Sequence, residues 1–465
     1  MSVEFLKSEM FQRFATERPV AVMTQMTLSH LLDAESLDRL FADHAQQQYE
    51  RTLLFSTLAE LVAAVVLGKA PSINTGWGRM KDRLGVSLTA TYGKLQRVEP
   101  GLSQAFVRYS YEQTVDVFKA LGAAPRHDIA GYETRILDGN HLSGTEHRLK
   151  ETRDTTAAPL PGKSLVVLSP RYDAICDYFP IEDGHAQERS ALDEVLDEVL
   201  DTVQRNQLWV ADRNYCTLKF MYGIVARGGA FIIRQHGQLV GDGMGRLSKV
   251  GTTQTGTVHE QSLRLPAYDG ESLSVRRIVV KLNEPTRDGD TDIAILTNVP
   301  PDRADAIRIA EVYRSRWKIE TAFLHLSQVL SGEINSLCYP KAALFCFANA
   351  LVAYNALAII KAAIRSAHDG DAVSSLSHYY LALEISETTD GMLIALPPDE
   401  WERFAAMPSA EFASSLRAIA AKMNPRKYRK SGRGPKTKKP KAKHKKQAVH
   451  LSTKQILDKR AKDPC

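Results

Sequence analysis

Apolar residues recur every three to four positions through the first 125 residues. SLDRLFADHA, TLLFSTLAELVAAVVLG and the run from Leu102 to Leu121 all carry that period, which predicts a helical amino-terminal region. Between the second and third lies PSINTGWGRMKDRLGVSLTATYGKLQRVEP, where Ser87 can cap a short helix after a Gly-containing turn. That stretch fits a helix-turn-helix and an ordinary helical hairpin equally.

From Tyr132 the pattern changes to short apolar runs bounded by turn residues. ETRILDGN and QLWVADRNYC each predict a strand ending in a polar turn, and SLVVLSPRYDAICDYFP predicts a hairpin around Pro170–Tyr172. AQERSALDEVLDEVLDTV is an amphipathic helix, LKFMYGIVARGG a further helix and AFIIRQ a strand. Asp242–Asn283 is rich in Gly, Thr and Ser with short strands, LRLPAY and VRRIVVKL among them, and TDIAILTNVP adds another. One long helix is expected from about Ala304 to Leu330. The next run, Ala342–Ile360, is nearly long enough to cross a bilayer, but Asn349 and Asn355 interrupt it and it has no second of its kind. It reads as a buried core helix, and no membrane partner is expected. Hairpin first, then alternating helices and strands, indicates an α/β core with a β-rich insertion.

A chain of 465 residues, 44% hydrophobic and 25% charged, has room for two or three domains and a large core. Its first residues carry acids and do not read as a signal peptide. Five scattered cysteines without CxxC spacing suit a reducing cytosol and supply neither zinc site nor disulfide framework. Charge is distributed unevenly. Of 60 Lys and Arg, twelve fall between Arg426 and Lys446 with no acid among them; the rest of the chain holds 48 against 54 acidic residues, a net of −6. This Pro-, Gly- and Lys-rich tail cannot bury enough apolar surface to fold alone. It suits phosphate backbones through counterion release, or simple solubility.

Two acids end apolar strands: Asp138 after RIL and Asp212 after LWVA. An Asp there can be a turn former, or a carboxylate held rigidly at a sheet edge. Phosphodiester hydrolysis without a covalent intermediate needs two divalent metals about 3.5–4 Å apart. Mg2+ takes carboxylate oxygens from separate elements for that purpose. Glu320 in YRSRWKIE is a candidate third acid. On a helix, Tyr313, Arg316 and Glu320 fall at roughly 0°, 300° and 340° and share one face, while Trp317 flanks it and Arg314 and Lys318 point away. A tyrosine hydroxyl and a guanidinium there would hold phosphate beside a metal. The same spacing also fits a salt-bridged surface helix.

With these residues in place, the sequence resembles the DDE transposases of bacterial insertion sequences, family four. Asp138 in ILDGN, Asp212 in ADRNYC and Glu320 match the three acids, with gaps of 74 and 108 residues. Tyr313, Arg316 and Glu320 match the family's Tyr, Arg, Glu, Lys signature; the Lys position is Ser327, a departure, with His325 as a nearby substitute. HLSGTEHRLK also looks like the family and assigns Arg148 a DNA contact or a bracing role. The resemblance covers roughly Tyr132–Leu357.

It implies an RNase H-like catalytic core, a mixed sheet flanked by helices, with a β-rich insertion and an α-helical N-terminal domain. The expected organisation is residues 1–128 as a helical DNA-binding domain, 129–365 as the catalytic domain with its insertion at about 229–291, 366–423 as a helical carboxyl-terminal region and 424–465 as a basic tail without fixed structure. Two Mg2+ ions, replaceable by Mn2+, would sit at Asp138, Asp212 and Glu320. The substrates would be double-stranded DNA, terminal inverted repeats and target. Tyr313, Arg316, Arg148, Arg426, Lys427, Arg429 and Lys430 would contact it, in a homodimer acting at the nucleoid of a prokaryotic cytoplasm. Some relatives stack a flipped base on an aromatic residue of the insertion, where Tyr268 is the one tyrosine. Two other readings compete: an inactive, domesticated DNA-binding derivative, and an RNase H-like nuclease without strand transfer. If the tail binds phosphates, deleting Arg426–Lys446 will weaken DNA binding and flatten its dependence on salt in filter-binding titrations; an unchanged slope returns the tail to the solubility reading.

Overall fold

Nine strands, β1 to β9, form one sheet in the order β3-β2-β1-β4-β5-β9-β8-β7-β6. The computed structural model describes residues 2–48, 52–123, 127–142, 149–154, 159–286, 289–368, 376–430 and 451–462. The first five strands are β1 (Glu133–His141), β2 (Lys163–Ser169), β3 (Ala174–Ile181), β4 (Gln207–Ala211) and β5 (Ala230–Arg234). β2 runs antiparallel to β1 and β3, whereas β4 and β5 run parallel to β1. That is the RNase H-like arrangement. The expected insertion does not stand apart from it. β6 (Asp242–Thr253), β7 (Gly256–Arg264), β8 (Ser274–Leu282) and β9 (Asp292–Thr297) continue the same sheet, because β9 pairs with β5.

Both faces of the central strands are buried, so their side chains alternate between two cores. Ile136, Leu208, Val210 and Ile232 face one apolar cluster; Leu137, Trp209, Ala211 and Ile233 face the other. This accounts for the unbroken apolar runs in the sequence. The helices are labelled here α1 (Pro19–Leu31), α2 (Phe55–Val66), α3 (Pro100–Leu121), α4 (Glu188–Asp201), α5 (Leu218–Ala226), α6 (Ala306–Arg314), α7 (Trp317–Gln328), α8 (Pro340–Ala367), α9 (His378–Ala395) and α10 (Ser409–Ala420). α4 and α5 cover the second face. α1, α2, α3 and the carboxyl-terminal helices pack with α8 in the larger cluster.

Only α8 is long and apolar enough among the described residues to cross a membrane, and its most apolar stretch lies wholly inside the protein. Asn355 shows why a polar residue interrupts it. Its side-chain amide accepts from the Ile175 N–H at 2.7 Å and donates to the Ile175 carbonyl at 3.0 Å and to Ser110 Oγ at 2.9 Å. The helix thus satisfies peptide groups of edge strand β3 that would otherwise be buried unpaired.

Three details go beyond the sequence expectation or depart from it. The single helix over 304–330 is two, because Ser315 and Arg316 make a tighter turn: their N–H groups bond three residues back, to Val312 and Tyr313, and Ser315 Oγ bonds the Val312 carbonyl. In the stretch around Ser87, the hydroxyl caps Leu88–Leu95 as expected, but Lys94 turns inward over the Phe41 ring. The tail is docked at both ends of its described residues. Buried Tyr428 bonds Glu384 and the Ser377 N–H, and Leu451–Thr453 pairs with Leu160 ahead of a helix over Thr453–Lys462. Substituting Asn355→Leu strands the two Ile175 groups, and urea denaturation should show a loss of about 2–4 kcal/mol; a change under about 1 kcal/mol would mean that other partners replace the amide.

Candidate active site

Strand register brings the first two acids together. β1 and β4 run in parallel, with Leu137 opposite Ala211 as their last paired residues. Asp138 and Asp212 follow, so they stand side by side where β4 ends; unlike the sequence expectation, Asp138 does not end its strand, because β1 stays paired with β2 as far as His141. Alternation turns both toward the core that also holds Ile136 and Val210. One strand further, Ile233 of β5 pairs with Ala211, which brings Arg234 to the same level.

The third acid arrives on α7, across the tight turn at Ser315. The Arg316 guanidinium lies between two carboxylates: Nη1 donates to Asp138 Oδ2 and Nη2 to Glu320 Oε1, each at 2.7 Å. Asp138 also accepts from the Gly139 N–H at 2.9 Å. The Tyr313 hydroxyl donates to Asp212 Oδ1 at 3.2 Å. Asp138 and Arg316 are buried, with side chains 12% and 10% exposed, whereas Glu320 is open to solvent at 39%. The site is therefore a shelf with a closed floor and one wet edge. Trp317, 63% exposed, stands at that edge, and Arg314 and Lys318 point to solvent.

Charge here is balanced by burial. Burial opposes the Arg316 charge, but Asp138, Asp212 and Glu320 outweigh it and hold the guanidinium above the ordinary arginine range. Burial, and then the Asp212 charge, push the Tyr313 hydroxyl well up, so it remains a neutral donor. Arg234 is likewise raised: burial opposes its charge, and an ion pair with Asp290 at 2.7 Å, with Tyr313 and Asp212 beyond, outweighs that.

Other expected residues lie elsewhere. Ser327 is on the same flank of α7 as Glu320, two turns on and exposed, and its hydroxyl bonds the Leu324 carbonyl. His325 does not replace a phosphate-binding lysine there. It points to the opposite flank against His378, and burial, with Lys361 and Lys430, pushes it down to about 4, so it is neutral. Arg148 falls outside the described residues. Arg426, Lys427, Arg429 and Lys430 are exposed around the docked Tyr428, and the Lys430 charge reaches His325 at the end of α7. Tyr268 packs its ring on Tyr222, 5.6 Å between centroids. Arg234 was not singled out from the sequence. AFIIR has the signal that marked the acids, an apolar strand ending in a charged residue.

Carboxylate oxygens are the donors that Mg2+ and Mn2+ take, so this set fits a hard divalent cation. Among the described residues no three acidic, His or Cys side chains are close enough to enclose one ion. The Arg316 guanidinium lies between Asp138 and Glu320 and occupies an oxygen of each.

Residues 130–356 match the family model for a transposase DDE domain, a segment that includes the three acids, Tyr313, Arg316 and Arg234. A piggyBac transposase, solved as a synaptic complex with hairpin DNA, is similar over 88% of this chain and 86% of its own. Its TM-score of 0.38 at 8% identity is too slight a likeness to bear on function. No curated protein matches the chain. If guanidinium and cation compete for the same oxygens, Arg316→Ala will bind Mn2+ more tightly than wild type without DNA. Calorimetry should show about fivefold if the competition is worth ~1 kcal/mol; equal or weaker binding rules the competition out.

Proposed function

We propose that the chain is a transposase of the bacterial insertion-sequence type, family four, which cuts DNA at element ends and joins them to target DNA. The match to a transposase DDE domain supports transposase function, and such domains generally use divalent metal ions. The observation that carries the finer reading is one contact set: Arg316 joining Asp138 to Glu320, beside Asp212 held by Tyr313.

In this reading Asp138, Asp212 and Glu320 would hold two Mg2+ ions, or Mn2+. Bound there, the ions supply an activated water and stabilise the leaving oxygen of the scissile phosphodiester. The chain's own groups do the rest. Arg316, once free of the acids, turns its paired N–H groups to a phosphate oxygen. Tyr313 stays protonated and donates instead of repelling the phosphate. Arg234 places a second cation at the level of Asp212, where negative charge accumulates. The closed floor keeps bulk water from competing at the reacting phosphorus. In the second step the released 3′ hydroxyl would attack a target phosphodiester, forming the new bond to phosphorus as the target strand's own 3′ oxygen leaves with a proton.

DNA is held outside the acids by the helical region 1–128, by Arg148 and by the basic run that begins at Arg426, Lys427, Arg429 and Lys430. Two copies bring two terminal inverted repeats together, so the working form is a homodimer on double-stranded DNA at the prokaryotic nucleoid. Asp138→Ala, Asp212→Ala and Glu320→Ala should each abolish Mg2+-dependent nicking of terminal-repeat DNA with binding nearly intact. A Glu320→Ala protein keeping more than about a tenth of the rate, under ~1.4 kcal/mol of barrier, would remove Glu320 from the set. Equal nicking by wild type and Asp212→Ala would leave a DNA-binding protein.

A further inference from the structure

A buried polar chain runs from the sheet to the far side of α7. Asp173, in the β2–β3 turn, pairs with Lys361 of α8 and accepts from the Tyr354 hydroxyl at 3.1 Å. Lys361 Nζ lies 3.2 Å from His378 Nε2, at the start of α9. The His378 ring packs against the His325 ring of α7, with centroids 3.8 Å apart and the planes tilted by 33°. Nδ1 of both rings is buried without a hydrogen-bond partner among the described residues. Such an atom costs about 1–3 kcal/mol, so two at one contact are not explained by stability.

Position on α7 suggests what the contact does. The helix is seated on Ile319, Ala322 and Leu326, all nearly inaccessible. At roughly 100° per residue from Ile319, Glu320 lies about 100° to one side of that ridge and His325 about 120° to the other. Rolling the helix on its ridge therefore moves both. At a side-chain radius of ~5–6 Å, a roll of about 10° shifts the Glu320 carboxylate by about 1 Å. A shift of that size can cost about 10²-fold in rate. The ridge includes Ala322, too small to resist rolling, whereas the imidazole contact acts at the opposite flank.

We infer that the His325–His378 ring contact, seated on Lys361 and Asp173, is a brace that fixes the roll of α7 and so places Glu320 for metal. The inference rests on reading Glu320 as a metal ligand. Both histidines are positioning residues and touch neither metal nor DNA. Burial and Lys361, with Lys430 and against Asp173, keep the rings neutral, His325 down to about 4 and His378 to about 2. The contact therefore persists across the working pH range.

The test is Mn2+ affinity of the full chain without DNA, read by electron paramagnetic resonance, with Glu320→Ala as reference. His325→Ala and His378→Ala should each weaken binding ~10-fold, the size seen when ligand-orienting partners are lost. His325→Phe, which keeps a ring at the contact, should stay within about twofold of wild type. DNA affinity in Ca2+ should not change in any of them. If the alanine variants melt earlier yet bind Mn2+ like wild type, while Glu320→Ala does not, the brace is wrong and the acid site stands. A phenylalanine variant as weak as alanine also overturns it. If Glu320→Ala itself binds Mn2+ like wild type, the site reading fails and takes the brace with it.

Discussion

The Arg316 guanidinium, bonded to Asp138 on the sheet and Glu320 on its own helix, is the contact on which the site depends. Asp138 and Asp212 on neighbouring strands and Glu320 on α7 are like charges that face one another, and burial raises the cost of the Asp138 charge. Such a cluster persists only with positive charge inside it. Arg316 supplies that charge within the protein alone, and Arg234 supplies more at the next strand. The same constraint explains why the tight turn at Ser315 matters. It redirects the chain so that Tyr313, before the turn, reaches Asp212, while Arg316, after it, reaches Asp138.

The rest of the fold holds this contact still. The central strands are apolar on both faces through Ile136–Leu137, Leu208–Ala211 and Phe231–Ile233. α8 closes the sheet from one side and completes β3 through Asn355. The added strands are coupled to the site through α6, the helix that carries Tyr313. Gly251 of β6 lies so close to Ile307 that a Cβ there would fall 2.5 Å from it. Arg276 of β8 bonds the Val299 and Ala304 carbonyls just before α6.

Much of this was legible beforehand because it rests on short-range pattern. The strands bearing Asp138 and Asp212, the helices between them and the core character of Ala342–Ile360 all follow from apolar period and turn residues. The shared face of Tyr313, Arg316 and Glu320 followed from helical spacing, although the helix is broken between the first and second. Arg234 was overlooked because a terminal arginine after an apolar run is common, and only its neighbours across β4 and β5 distinguish it. His325 was misread for the opposite reason: its nearness to Ser327 in sequence hid the fact that it points to the other flank.

Local composition, then, determined which segments are helix or strand, which faces are buried, and which residues have the chemistry to bind metal or phosphate. Those are properties of a few consecutive side chains and their spacing. What only tertiary structure decided is which of them meet. The parallel register of β1 with β4, the continuation of the sheet from β5 into β9, the cation between the acids and the histidine contact behind them all join residues far apart in the chain. Pairings of that kind depend on how whole faces pack against one another, and no short window of sequence contains both partners.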